Sequence, residues 1–172
     1  MKYLYQYRVR EHISGIKRET DVKCSMFKPS FSNGILLPEE QKDLKTIGVR
    51  LLFQIMTLGK ARIFYVKNEN DLVHTSYVVP RCFKFPFLNK NDYEIGPCFT
   101  YPEYRGKGVY TNVLRSICQS VGNQDTVFYM IVDESNIASI KGIEKAEFTR
   151  CGTVKVSKYI KRYYMENSWR ET

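Results

Sequence analysis

Midway along the chain, the stretch YPEYRGKGVYTNVLRSICQS (Tyr101 to Ser120) sets two glycines between basic residues, Arg105-Gly106-Lys107-Gly108. An apolar run precedes the turn and a helical pattern follows it. A glycine turn at the mouth of a helix can bind an anion. The N–H groups of the first helical turn have no partner within the helix, and the helix dipole favours negative charge there. Gly106 and Gly108 carry no side chain, so a phosphate can approach the backbone, while Arg105 and Lys107 add charge-assisted contacts. The turn has no G-x-x-x-x-G-K-[ST] pattern of a P-loop, and only G-x-G remains of the Rossmann fingerprint. A solvated strand-to-helix connection is the plain alternative. The position of the turn, after a strand and before an amphipathic helix, favours the anion site.

The elements that would hold this turn follow from periodicity. Val109, Tyr110, Val113, Leu114, Ile117, Cys118 and Val121 form one apolar stripe, which predicts a helix. Tyr93–Thr100 before it reads as a strand, and the apolar run TVFYMIV (126–132) as a strand buried on both faces. Ser135-Asn136 resembles a helix N-cap leading to about Ala146. Upstream, Tyr3, Tyr5, Tyr7 and Val9 alternate with Leu4, Gln6, Arg8 and Arg10, a period-2 strand. Residues 11–37 are mixed. Pro38-Glu39-Glu40 opens a helix whose apolar stripe is Leu44, Ile47, Leu51, Ile55 and Leu58, with Gly59 as its stop. ARIFYV (61–66), DLVHTSYVV (71–79), and runs at 148–156 and 158–165 complete the strands. The order predicts one α+β domain spanning 1–172, built as three layers on a mixed sheet.

Composition narrows the partners. The 172 residues carry a net charge of +9, which draws anions: a phosphorylated cofactor, nucleic acid or a charged surface. Five scattered cysteines, no C-x-x-C and two histidines exclude a zinc finger and argue against a disulfide framework, so no metal is expected. No apolar run is long enough for a membrane span and no export signal opens the chain, so a cytoplasmic location is expected.

The quoted residues resemble a known family. Arg105-Gly106-Lys107-Gly108-Val109-Tyr110 is similar to the Q/R-x-x-G-x-G/A signature of the GNAT acetyltransferases, and ESNIASIKGIEKAEF (134–148) is similar to their N-x-x-[AS]…K-x-G-F segment. The resemblance spans about residues 60–165. More narrowly, YEIGPCFTYPEYRGKGVY with SIKGIEKAEF resembles a bacterial branch associated with surface polysaccharide, whose acceptor is an amino sugar. It implies a mixed sheet splayed at its centre, with acetyl-CoA as co-substrate. It also implies acetyl transfer to the amine of a small acceptor, a nucleotide-linked amino sugar first. A peptide or protein N-terminus is the other acceptor. Family members often pair through C-terminal strands, which makes a homodimer possible.

Roles carry over residue by residue. Backbone N–H groups of Arg105, Gly106, Lys107, Gly108, Val109 and Tyr110 would receive the pyrophosphate. Main chain at Phe99 and Thr100 would pair with the pantetheine arm, and Asn136 would meet the same arm unless it only caps its helix. The sequence departs from the pattern at three points. Tyr110 stands where the signature ends in Gly or Ala. Ile143 occupies the position of the tyrosine that many members use as general acid; a branch of the family instead has serine three residues after the asparagine, and the resemblance thus implies Ser139 as the partner of the CoA sulfur. Glu147 replaces the usual glycine before Phe148. For the base that frees the amine, Glu94, His74 and Asp133 are candidates. Two other readings stay open. One is a basic nucleic-acid-binding domain, against which stand the missing recognition motifs and the core-like alternation of the tyrosines. The other is a fold relative that binds CoA without catalysis.

Overall fold

Alternating tyrosines at the start of the chain make a strand. In the computed structural model of the protein, which describes residues 1–9, 23–30, 44–69 and 71–168, that strand lies deep inside the sheet. β1 (Lys2–Arg8) runs antiparallel between β6 (Val127–Asp133) and β7 (Thr149–Val156). The other strands are β2 (Cys24–Phe27), β3 (Arg62–Asn68), β4 (Asp71–Pro80), β5 (Tyr93–Thr100) and β8 (Tyr163–Ser168). Among the described residues the order is β2-β3-β4-β5-β6-β1-β7-β8. The short β2 falls in the stretch that the sequence left mixed. The expected helix start at Pro38-Glu39-Glu40 and most of residues 11–37 lie outside the described residues.

Every neighbouring pair is antiparallel except β5 and β6, which run parallel and pair only at Tyr93–Phe128 and Glu94–Tyr129. Beyond Glu94 the two strands part. The cause is local. Ile95 pairs with Val78 and Cys98 with Ser76, so Gly96 and Pro97 together stand opposite Tyr77 alone, a bulge that bends β5. Pro97 also has no N–H to offer a neighbouring strand. The sheet is mixed and centrally splayed, as the resemblance implied.

Helices cover both faces. On one side α2 (Val109–Val121) and α3 (Ile137–Lys145) pack over Tyr5, Val78, Ile95, Phe128 and Met130. The α2 stripe predicted from spacing is buried from Val109 to Val121, with Tyr110 half-buried beside it. On the other side α1 (Leu44–Met56) joins Phe85 and Leu88 over Leu4, Ile63, Val79 and Val127. Here the predicted period holds and the phase does not. Leu44, Ile55 and Leu58 are 84%, 72% and 86% exposed, while Arg50, Phe53 and Thr57 face the sheet. Polar anchoring sets the phase: Arg50 Nε donates to the Tyr77 hydroxyl at 3.0 Å, and Thr57 Oγ1 bonds both Phe53 O and Ala61 N. The last strand begins at Tyr163 instead of 158, because residues 157–161 close a turn through Lys161 N and Ser157 O.

The exit of α3 has the geometry of a helix that ends in glycine, although no glycine is there. Glu147 takes φ 71, its N–H bonds Glu144 O at 2.9 Å, and Phe148 N bonds Ile143 O at 3.3 Å. Phe148 and Ile143 are both buried in the same core, completing a Schellman motif. The left-handed backbone costs a side-chain-bearing residue about 1 kcal/mol. Glu147→Gly is therefore expected to raise stability by up to about 1 kcal/mol in urea unfolding, against the destabilising direction usual for glycine within a helix.

Candidate functional site

The glycine turn lies where β5 hands over to α2. A short 3-10 helix, Pro102–Tyr104, follows the strand, and Gly106 and Gly108 then adopt φ 75 and φ 77, conformations that suit glycine and strain other residues. Gly108 is the N-cap of α2 and supplies no side-chain cap, so the first N–H groups of the helix stay open to a ligand. Nothing lies within 4 Å of where a Gly106 Cβ would be. Arg105 Nε donates to Thr100 O at 2.9 Å and its guanidinium lies 5.8 Å from the Phe99 ring centre. That folds the arginine over the end of β5. Lys107 instead rests its ammonium over Tyr104, 5.4 Å from the ring centre, outside the cleft walls.

A cleft of about 470 Å³ opens between the end of β5, this turn and α3. Its walls bring together Phe99, Thr100, Arg105, Gly106, Gly108, Val109 and Tyr110 with Asn136 and Ser139 from the far side. Because Tyr101 N donates to Val73 O, the antiparallel alternation points the Phe99 main chain at β4. The peptide groups of Cys98 and Thr100 therefore face the opening. Asn136 caps α3: its Oδ1 accepts from Ser139 N at 3.2 Å, which leaves its amide N–H₂ as donor. The Ser139 hydroxyl is half-exposed on the same wall. Two cationic residues of the cleft escaped the sequence reading, Lys141 and Lys145. Their four-residue spacing on a helix already placed beside the turn was the available signal.

The candidate bases differ sharply in surroundings. Glu94 is buried at the point where β5 leaves β6, and its Oε2 has no hydrogen-bond partner. Burial pushes its pKa up to about 8, opposed in part by the charge of Lys84. His74 is fully buried on β4. Its Nδ1 lies 2.7 Å from Thr100 Oγ1 and its Nε2 2.7 Å from Ser76 Oγ, and burial pushes its pKa down to about 4. It is a neutral clamp on the end of β5, with one ring nitrogen donating and the other accepting. Asp133 is exposed at the end of β6, and its carboxylate is held below its usual range by bonds from the Ser135 hydroxyl and N–H.

Tyr110 fits at the signature position because residue 142 is glycine. A Cβ on Gly142 would stand 2.6 Å from Tyr110 Cδ1, so α3 can approach the ring only without it. Among the described residues no three metal-ligating side chains gather, the five cysteines are free, and no helix is long and apolar enough to cross a membrane.

No protein-family model matches the sequence, and no curated protein resembles it in sequence. Solved structures do resemble it in fold. An acetyltransferase from the GNAT family of Colwellia psychrerythraea superposes with a TM-score of 0.58 at 13% identity, over 87% of this chain and 52% of its own. An acetyltransferase assigned to the GNAT family from Novosphingobium aromaticivorans gives a TM-score of 0.52 at 16% identity, over 87% of this chain and 60% of its own. The chain thus has the fold of GNAT acetyltransferases and spans about half to three-fifths of the length of these two.

The two buried groups tilt stability in opposite directions. Between pH 4.5 and 8 folded Glu94 keeps a proton that the unfolded chain releases, so its contribution is lost as pH rises through that window. Between pH 4 and 6.5 unfolded His74 takes up a proton that the folded protein refuses, so stability falls as pH drops. Each slope is on the order of 1 kcal/mol per pH unit. Urea unfolding across pH is expected to show that Glu94→Gln removes a decline above pH 6.5, and that His74→Asn uncovers a decline beginning near pH 4.5.

Proposed function

We propose that the protein is an acetyl-CoA-dependent N-acetyltransferase whose acceptor is the primary amine of a small anionic molecule, a nucleotide-linked amino sugar first. One observation carries the reading. The parting of β5 from β6, the outward peptide groups of Cys98 and Thr100, and the glycine turn all meet at a single cleft. That shape suits an extended arm ending in a pyrophosphate, and the residues present fit it. Acetyl-CoA supplies an activated acetyl thioester. The open N–H groups of α2 and the Arg105 guanidinium neutralise the pyrophosphate. Cys98 and Thr100 pair with the amides of the arm as with an added strand, and Asn136 donates from the other wall. His74 holds Thr100, and through its carbonyl Arg105, in place.

Glu94 faces the side of the sheet covered by α1, opposite the cleft, and it takes the proton of the incoming ammonium so that a neutral amine attacks. A carboxylate with a raised pKa suits this task near neutral pH. On that side Lys84 acts on the Glu94 carboxyl, and the segments 80–84 and 155–162 carry Arg81, Lys84, Lys155, Lys158, Lys161 and Arg162 with no acidic residue. The two segments touch through Tyr163 N and Lys84 O at 3.0 Å, and Arg162 lies 4.8 Å from the Phe83 ring centre. This basic wall favours an acceptor bearing phosphate over a neutral peptide.

Calorimetric titration with acetyl-CoA is expected to give saturable binding that Arg105→Glu and Gly108→Asp abolish; folded wild-type protein that fails to bind would overturn the reading. Glu94→Gln is expected to leave that binding intact and to lower acetyl transfer to nucleotide-linked amino sugars by about 10²- to 10⁴-fold, followed as CoA release.

A further inference from the structure

The phenol of Tyr110 crosses the opening between β5 and β6. Its ring centre is 5.9 Å from that of His74 on β4, and its hydroxyl is 4.0 Å from Met130 Sδ on β6. β5, with Cys98, runs between those two strands. A thioether sulfur is a weak acceptor, so a strong O–H donor is held at the floor of the cleft with no strong partner. Position 143, where the family resemblance would place a phenol, holds Ile143, which is 1% exposed in the core and has nothing to donate. Gly142 beside it yields its side-chain space to Tyr110.

We infer that Tyr110 donates the hydrogen bond that stabilises the departing CoA thiolate, so that this phenol comes from the start of α2 instead of from α3. The inference rests on the acetyltransferase reading. As the amine nitrogen bonds the acetyl carbon, the carbon–sulfur bond breaks and its electron pair stays on sulfur. Before attack the ammonium gives one proton through Glu94 to solvent; after it the nitrogen gives up a second by the same route to become the amide, and one proton returns from solvent to sulfur. Tyr110 keeps its own proton throughout. Burial, with Cys98 and Glu94 nearby, holds the phenol well above its ordinary range, so it donates a hydrogen bond without ionising. Ser139, with a hydroxyl on the same cleft wall, is the competing donor.

Binding distinguishes them without turnover. CoA and desulfo-CoA are titrated into wild type, Tyr110→Phe, Gly142→Ala and Ser139→Ala at about pH 7 and about pH 9, either side of an ordinary thiol pKa of about 8.5. The titratable groups around the phenol are His74 on β4 and Cys98 and Glu94 on β5. Glu94 alone of these changes charge in that range, and it does so in every variant with the carboxyl intact. Wild type is expected to prefer CoA to desulfo-CoA by about tenfold at the higher pH, a charge-assisted hydrogen bond's worth. Tyr110→Phe loses that preference while binding desulfo-CoA as wild type does, and Gly142→Ala, which displaces the ring, loses it too. A preference that survives Tyr110→Phe, or that only Ser139→Ala removes, overturns the assignment. Wild-type protein that binds neither compound overturns the acetyltransferase reading itself.

Discussion

The separation of two parallel strands governs this molecule. β5 and β6 share two residue pairs and then diverge, because Gly96 and Pro97 crowd opposite one residue of β4 and proline has no N–H to bridge with. Unpaired peptide groups inside a sheet are costly unless something pairs with them. The open edge of β5 is therefore a gap in the sheet whose peptide groups have no strand of the protein beside them. The glycine turn, the cap of α3 and the buried carboxyl are all arranged around that gap.

Electrostatics divide the gap into two sides. Toward α2 and α3, the groups are neutral or positive: the clamped imidazole of His74, the open N–H groups of α2, and Arg105, Lys141 and Lys145 at the rim. Toward α1 lie the carboxyl of Glu94 and the charge of Lys84. Burial acts on His74 and Glu94 through one mechanism, disfavouring the charged form. It leaves the imidazole neutral and structural, and the carboxyl able to hold a proton at neutral pH. Of the two, only the carboxyl sits where the strands part.

Much of this was legible in the chain. The α2 stripe, the alternating tyrosines and the Gly106–Gly108 turn are local patterns, and local patterns determine where they fold. The phase of α1 was not legible. A hydropathy count favours its leucines, whereas Arg50 and Thr57 are buried because Tyr77 and Ala61, distant in sequence or outside the helix, satisfy them. The split in the roles of Glu94 and His74 was also hidden. As residue types the histidine fits a base better, and only the surroundings show that both its nitrogens are held while one oxygen of the Glu94 carboxyl has no partner. Tyr110 looked like a departure from the expected turn, and nothing near it in sequence marked Gly142 as the residue that makes room.

That pairing constrains how the sequence can change. While Tyr110 is present, a side chain at 142 would drive into its ring, and with a small residue at 110 the glycine at 142 would leave a void under α3. Neither position can drift alone without loss of packing. A larger residue at 142 therefore calls for a smaller one at 110, because the two share the width of one helix contact.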